Sequence, residues 1–124
     1  MRHTFPLLML LAACAPSASA FDSRVFSLAY LDDGPFAPRA TIRFVAPDQI
    51  EGQAPCNRYG ARLTAPLPAF APAGITSTEM ACDALAAEAV FFEALGEMTS
   101  AEIVGDTLTL RSPEGRIMVF KTQG

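Results

Sequence analysis

Histidine is nearly missing from this chain. The one copy, His3, stands at the extreme N-terminus, and there is no tryptophan. If His3 leaves with a cleaved leader, the remaining chain cannot build a Ser–His or Cys–His catalytic pair, or an ordinary zinc site. Cysteine is also scarce, with three residues (Cys14, Cys56 and Cys82) and no C-x-x-C spacing for redox or metal chemistry. Positive charge is in the minority, 9 Lys and Arg against 13 Asp and Glu, for a net charge of −4. No basic patch is visible along the chain. This argues against nucleic acid as a partner and against a polybasic membrane-binding surface. No apolar run is long enough to span a bilayer, and there is no internal repeat or long low-complexity segment.

What is there fits one small domain. The chain has 124 residues, 51% of them hydrophobic, and a mean hydropathy of +0.28, enough for a compact core. Met1–Thr4 is a short, weakly basic start, and Phe5–Ala13 is an apolar run of secretory-signal type. It ends in Leu11-Ala12-Ala13-Cys14, which resembles a bacterial lipobox. On that reading residues 1–13 are a lipoprotein signal peptide, Cys14 is the lipidated first residue of the mature chain, and residues 14–24 are a flexible tether. Without Asp after the cysteine, the expected place is the outer membrane, facing the periplasm. Ala18-Ser19-Ala20 is a rival A-x-A cleavage site that would give a soluble periplasmic protein.

The body, residues 25–124, reads as short strands and one helix. Val25–Leu31 is β-prone and is stopped by Asp32-Asp33-Gly34-Pro35. Residues 41–45, 49–53 and 59–64 are further strands, and the proline-bearing stretch 65–74 reads as an extended connector or edge. Asp83 is placed to cap a helix over Ala84–Met98. Leu85, Phe91, Phe92, Leu95 and Met98 share its apolar side, and Glu88 falls inside the same arc. Such a carboxylate is partly exposed, or buried with a structural partner such as an arginine or the backbone near Cys56, or catalytic. Gly105-Asp106 is a two-residue hairpin signal, and Ser112-Pro113-Glu114-Gly115 a second turn, so three strands close the chain. These elements make the fold class α+β, short strands with one main helix and a closing meander.

Cys56 and Cys82, 26 residues apart, are expected to pair in an exported chain. Reduced buried thiols and a redox role are the alternatives. Asn57 reads as a turn residue able to take left-handed backbone geometry, and Gly60 as a point of close backbone approach.

Together, Cys56-Asn57-Arg58-Tyr59-Gly60, Thr78-Glu79-Met80-Ala81-Cys82, Glu88-x-x-Phe91-x-x-x-Leu95, Ile103-x-Gly105-Asp106-x-Leu108-x-Leu110, and Gly115 with Phe120 resemble the META domain family. The family includes HslJ, a heat-shock-inducible lipoprotein of enteric bacteria. Two positions depart from its pattern: Pro55 stands where glycine is usual, and Phe26 where tryptophan is frequent. The resemblance implies a mixed α/β domain, a curved, mostly antiparallel sheet packed with one main helix, with links to envelope stress and antibiotic tolerance and no established enzymatic activity; no cofactor or metal is expected. Carried onto this chain, it makes Asn57, Gly60, Thr78, Met80, Glu88, Gly105 and Asp106 structural motif residues. The expected function is therefore a non-enzymatic, monomeric envelope lipoprotein. It would be held to a membrane by its lipid and would bind an envelope protein or other component. A small periplasmic inhibitor of a basic hydrolase such as lysozyme is the alternative, and paired-carboxylate catalysis by Asp32-Asp33 a remote third.

Overall fold

A computed structural model describes Thr4 and residues 21–122. Apart from Thr4, the expected signal peptide, together with Cys14 and the Ala18–Ala20 site, lies outside the described residues, as does most of the expected tether. Among the described residues nine strands and one helix follow in order: β1 (Phe26–Leu31), β2 (Gly34–Pro35), β3 (Thr41–Ala46), β4 (Gln49–Gln53), β5 (Arg58–Leu63), β6 (Pro72–Ser77), α1 (Leu85–Glu97), β7 (Ser100–Val104), β8 (Thr107–Arg111) and β9 (Ile117–Thr122). All strand pairs are antiparallel, in the order β6-β5-β4-β3-β1-β9-β8-β7, with β2 folded back on β1. No helix among the described residues is long and apolar enough to cross a membrane.

Strand periodicity accounts for the two faces of the sheet. Ile42 and Phe44 of β3, Ile50 of β4, and Tyr59, Ala61 and Leu63 of β5 are buried, and the residues between them point outward. The sheet curls around these inner side chains into a half-barrel. Ahead of β6, Phe70 N–H donates to Thr99 O at 2.9 Å, and Ala101 N–H donates to Pro68 O at 2.8 Å. These bonds carry the proline-rich connector onto β7 and place Phe70, fully buried, in the core. The connector then becomes the edge strand β6, with Pro72 at its first position, where a missing N–H is tolerated.

The turns behave as their residues suggest. Gly105 has φ 58° and Asp106 does not share the positive sign, the type II′ pattern for a two-residue hairpin between β7 and β8. Gly34-Pro35, expected within a turn, instead pairs with Tyr30 and Leu31. The turn itself is Asp32-Asp33, with Asp32 at φ 54°. A short polar residue tolerates that geometry best after glycine. The Asp32 carboxylate accepts from Ile117 N–H at 3.2 Å and pairs with Arg116, and that guanidinium holds its carboxyl below the usual range. Asp32 is thus a brace between the β1–β2 turn and β9. Its neighbour Asp33 makes no ion pair among the described residues.

Among the described glycines, the most crowded is Gly52. A Cβ there would collide with the carbonyl oxygen of Thr41 and lie 2.7 Å from the Tyr59 hydroxyl. That hydroxyl is itself committed, donating to Thr41 O at 2.7 Å from a buried ring, and burial pushes its ionisation far above the ordinary range. At Gly60, where the sequence suggests close approach, the nearest atom to an added Cβ is Ile50 O at 3.4 Å, an ordinary contact. The crowding therefore falls one strand away from where it was expected. Gly52→Ala should cost at least about 3 kcal/mol, or abolish folding, because backbone must shift, whereas Gly60→Ala should cost within about 1 kcal/mol. Urea denaturation of both variants checks this, and similar midpoints for the two would contradict it.

Candidate functional site

The helix presents a different arc from the one its apolar pattern suggests. Phe91, Ala94, Leu95 and Met98 are buried, but Leu85 is 48% exposed, and the N-terminal end of the buried stripe is a carboxylate. Glu88 is only 4% exposed. Its Oε1 accepts the backbone N–H of Cys56 at 3.0 Å and of Asn57 at 2.7 Å, and its Oε2 accepts the Asn57 side-chain amide at 2.7 Å. All three donors are N–H groups, so the side chain serves only as an acceptor, the role an ionised carboxylate fills. It makes no ion pair among the described residues. Burying a charge costs several kcal/mol. Three charge-assisted bonds at roughly 1.5–3 kcal/mol each are of the size needed to offset that. The position in the first turn of α1 adds a favourable helix-dipole term.

Asn57 is the hub. Its Nδ2 donates to Glu88 Oε2 and to Met80 O at 2.9 Å; its Oδ1 accepts the Thr78 hydroxyl at 2.9 Å and Met80 N–H at 2.7 Å. Both amide hydrogens and both oxygen lone pairs are used, the full capacity of the group. The backbone at Asn57 is not left-handed, so the turn role expected for it is replaced by a side-chain role. Thr78 extends the network: its hydroxyl also accepts Arg58 N–H at 3.3 Å, and its own N–H donates to Arg58 O at 3.1 Å. Met80 contributes only main chain, since the residue is 68% exposed.

The disulfide closes the same corner. Cys56 and Cys82 are bonded, with Cα atoms 5.7 Å apart. The helix start is also tied to Cys82. Ala84 N–H donates to Cys82 Sγ at 3.4 Å and Leu85 N–H to Cys82 O at 3.2 Å, while Ala84 is the N-cap and no side chain caps it. Asp83, the expected cap, does not act as one. Pro55 fits without loss, because the donors aimed at Glu88 belong to the next two residues. Phe26, the other departure, is fully buried. Packing completes the joint: the Tyr59 ring stands edge-on to Phe91 and Phe92, each at 5.5 Å.

Six motif residues are therefore brought together: Cys56, Asn57, Thr78, Met80, Cys82 and Glu88. Gly60 lies on the outer face of the sheet. Gly105 and Asp106 form the β7–β8 turn, where the Asp106 carboxylate lies 3.3 Å from Arg24. Beside the cluster Met80, Leu85, Ala89 and Phe92 line an open recess of about 410 Å³. Within the cluster the Asn57 and Glu88 side chains are bonded to each other and to the main chain of Cys56, Asn57 and Met80, so the group works as a clamp. Among the described residues no group of His, Cys, Asp or Glu could hold a metal ion.

One feature reverses an expectation from the sequence. No basic patch is visible along the chain, yet the fold gathers Arg39, Arg43, Arg58 and Arg62 around one recess on the sheet face away from the core. The signal was present in strand periodicity, since Arg43, Arg58 and Arg62 all hold outward positions.

Comparison with known proteins agrees with this architecture. The family model described as META domain matches residues 29–124, and the chain belongs to the META domain family. A protein from Burkholderia xenovorans, solved by NMR, shares the fold with a TM-score of 0.64 and 17% identity, over 82% of this chain and 83% of that one. A second NMR structure gives a TM-score of 0.63 and 19% identity, over 82% of this chain and 91% of that one. No curated protein matches the chain.

Two substitutions test the clamp. Glu88→Gln keeps the shape but turns an NH₂ toward the Asn57 NH₂, or strands the two backbone donors. A loss of roughly 2–4 kcal/mol is expected in urea denaturation, and an unchanged midpoint would contradict the assignment. Cys56→Ser should lower stability by about 3 kcal/mol under oxidising conditions, with the gap to wild type closing once reductant is added. A gap that persists in reductant would show that something other than the cross-link was lost.

Proposed function

We propose that this META domain protein is a non-enzymatic lipoprotein of the bacterial envelope, anchored through Cys14, whose domain works as a binding module in envelope stress or antibiotic tolerance. One observation carries the non-enzymatic part: the motif residues are consumed in bonding one another. Asn57 has no free hydrogen-bonding capacity, both Glu88 oxygens are engaged, and Cys56 and Cys82 are joined. A catalytic acid or nucleophile needs an atom free to meet substrate. Anchoring rests on Leu11-Ala12-Ala13-Cys14 at the end of the apolar leader. The outer membrane is the proposed site and a monomer the proposed state.

A second reading has a surface of its own. Glu93, Glu97 and Glu114 share a cleft with the single cation Arg116, which suits contact with a basic hydrolase such as lysozyme. Lysozyme inhibition by the soluble domain, lost on Glu93→Lys with Glu97→Lys, would favour this over the first reading.

Intact mass spectrometry of membrane-extracted protein, alkylated with and without prior reduction, tests the anchor. The expected mass begins at Cys14 with added acyl groups, and the other two thiols alkylate only after reduction. A mass beginning at Phe21 without lipid would overturn the lipoprotein reading.

A further inference from the structure

The recess around the outward arginines has a volume of about 690 Å³ and lies on the faces of β3, β4, β5 and β6 turned away from the helix. Arg43 stands on β3, Arg58 and Arg62 on β5, and Arg39 on the segment entering β3. Against these four the lining carries one acidic side chain, Glu51, 3.7 Å from Arg43. Arg39, Arg58 and Arg62 make no ion pair among the described residues. In a chain of net charge −4, this is a local excess of positive charge facing solvent, opposite in sign to the rest of the protein.

We infer that this recess is a binding site for a linear, phosphate-bearing polyanion. Three features set the class. Guanidinium groups grip phosphate through paired N–H donors, which is what an arginine-only cluster offers. The charges are spread: Arg58 and Arg62 are four residues apart on one strand, roughly 13 Å of backbone, and Arg43 stands two strands across, about 10 Å away. That spread matches negative groups repeated along a chain better than a single anion. Gly60, between the two β5 arginines, leaves the floor open, since a side chain there would stand between them.

Nucleic acid fits less well. The one aromatic residue of the lining, Tyr59, is buried with its hydroxyl bonded to Thr41, so bases find no ring to stack on. A bilayer surface fits less well too, because the arginines border a recess and not a protruding face. The site lies on the opposite side of the sheet from the Glu88 clamp and depends neither on the lipid anchor nor on the functional reading above.

The test is titration of the full chain with short-chain inorganic polyphosphate, followed by isothermal calorimetry at two salt concentrations. Wild type should bind, and more weakly at higher salt. Arg58→Ala with Arg62→Ala should weaken binding by at least tenfold, while Arg111→Ala, on the far part of the sheet, should change it less than twofold. Both β5 arginines are exposed, so the double variant should keep the wild-type melting temperature. If it does not, Arg58→Gln with Arg62→Gln takes its place. Absence of binding, or equal loss in the Arg111→Ala control, overturns the inference. Poly-glutamate, a single-stranded oligonucleotide or anionic vesicles binding more tightly than polyphosphate overturns the assigned class.

Discussion

One buried carboxylate sets the geometry of this domain. Glu88 projects from the first turn of α1 into the corner where the chain leaves β4 for β5, and there it meets three N–H donors. The backbone of Cys56 and Asn57 must point inward to supply two of them. Once it does, the Asn57 side chain is positioned to supply the third and to hold the backbone of Met80 on the segment that leads back to the helix. The disulfide joins the same two segments covalently. Hydrogen bonds orient the corner and the sulfur bridge limits how far it can open. The apolar contacts of Phe91 and Phe92 with Tyr59 supply area without direction.

The motif Cys56–Gly60 serves both sides of the sheet because strand residues alternate. Asn57 and Tyr59 face inward, one bonding the helix and the other packing against it. Arg58 and Gly60 face outward, one carrying charge to the recess and the other leaving its centre open. A single stretch of sequence thus fixes the helix on one face and shapes a charged surface on the other. A one-residue slip of register would exchange the two sets, placing an arginine against Phe91 and an aromatic ring in solvent. The five consecutive pairings between β4 and β5, from Gln49–Arg62 to Gln53–Arg58, hold that register.

Local features were legible in the sequence. The Gly105-Asp106 hairpin, the Pro113–Gly115 turn and the extent of α1 follow from residue chemistry that acts over a few positions. A partner for Glu88 in the backbone near Cys56 was among the possibilities, because a carboxylate within an apolar stripe demands compensation. What could not be read depended on tertiary contact. The role of Asn57 requires Thr78 and Met80 to be beside it, and they are more than twenty residues away. Asp83 lost the cap position to a backbone and sulfur arrangement that exists only because Cys82 is tethered. Stretch 65–74 gave no hint that Phe70 would fill the core, since the bonds that place it are made with Thr99 and Ala101, about thirty residues further on. For the arginine recess the outward positions were legible in the strand pattern but their meeting was not, because the charges are dispersed in sequence and come together only across neighbouring strands.

The central claim is that Glu88 and Asn57 act as one unit joining helix to sheet. A double-mutant cycle combining Glu88→Gln with Asn57→Ala, each form measured by urea denaturation of the oxidised domain, tests it most directly. If the two side chains bond as described, the double variant should be less destabilised than the sum of the singles, by about 1.5–3 kcal/mol. Additivity within about 0.5 kcal/mol would mean that the two residues act independently, and the clamp would not be what holds the helix in place.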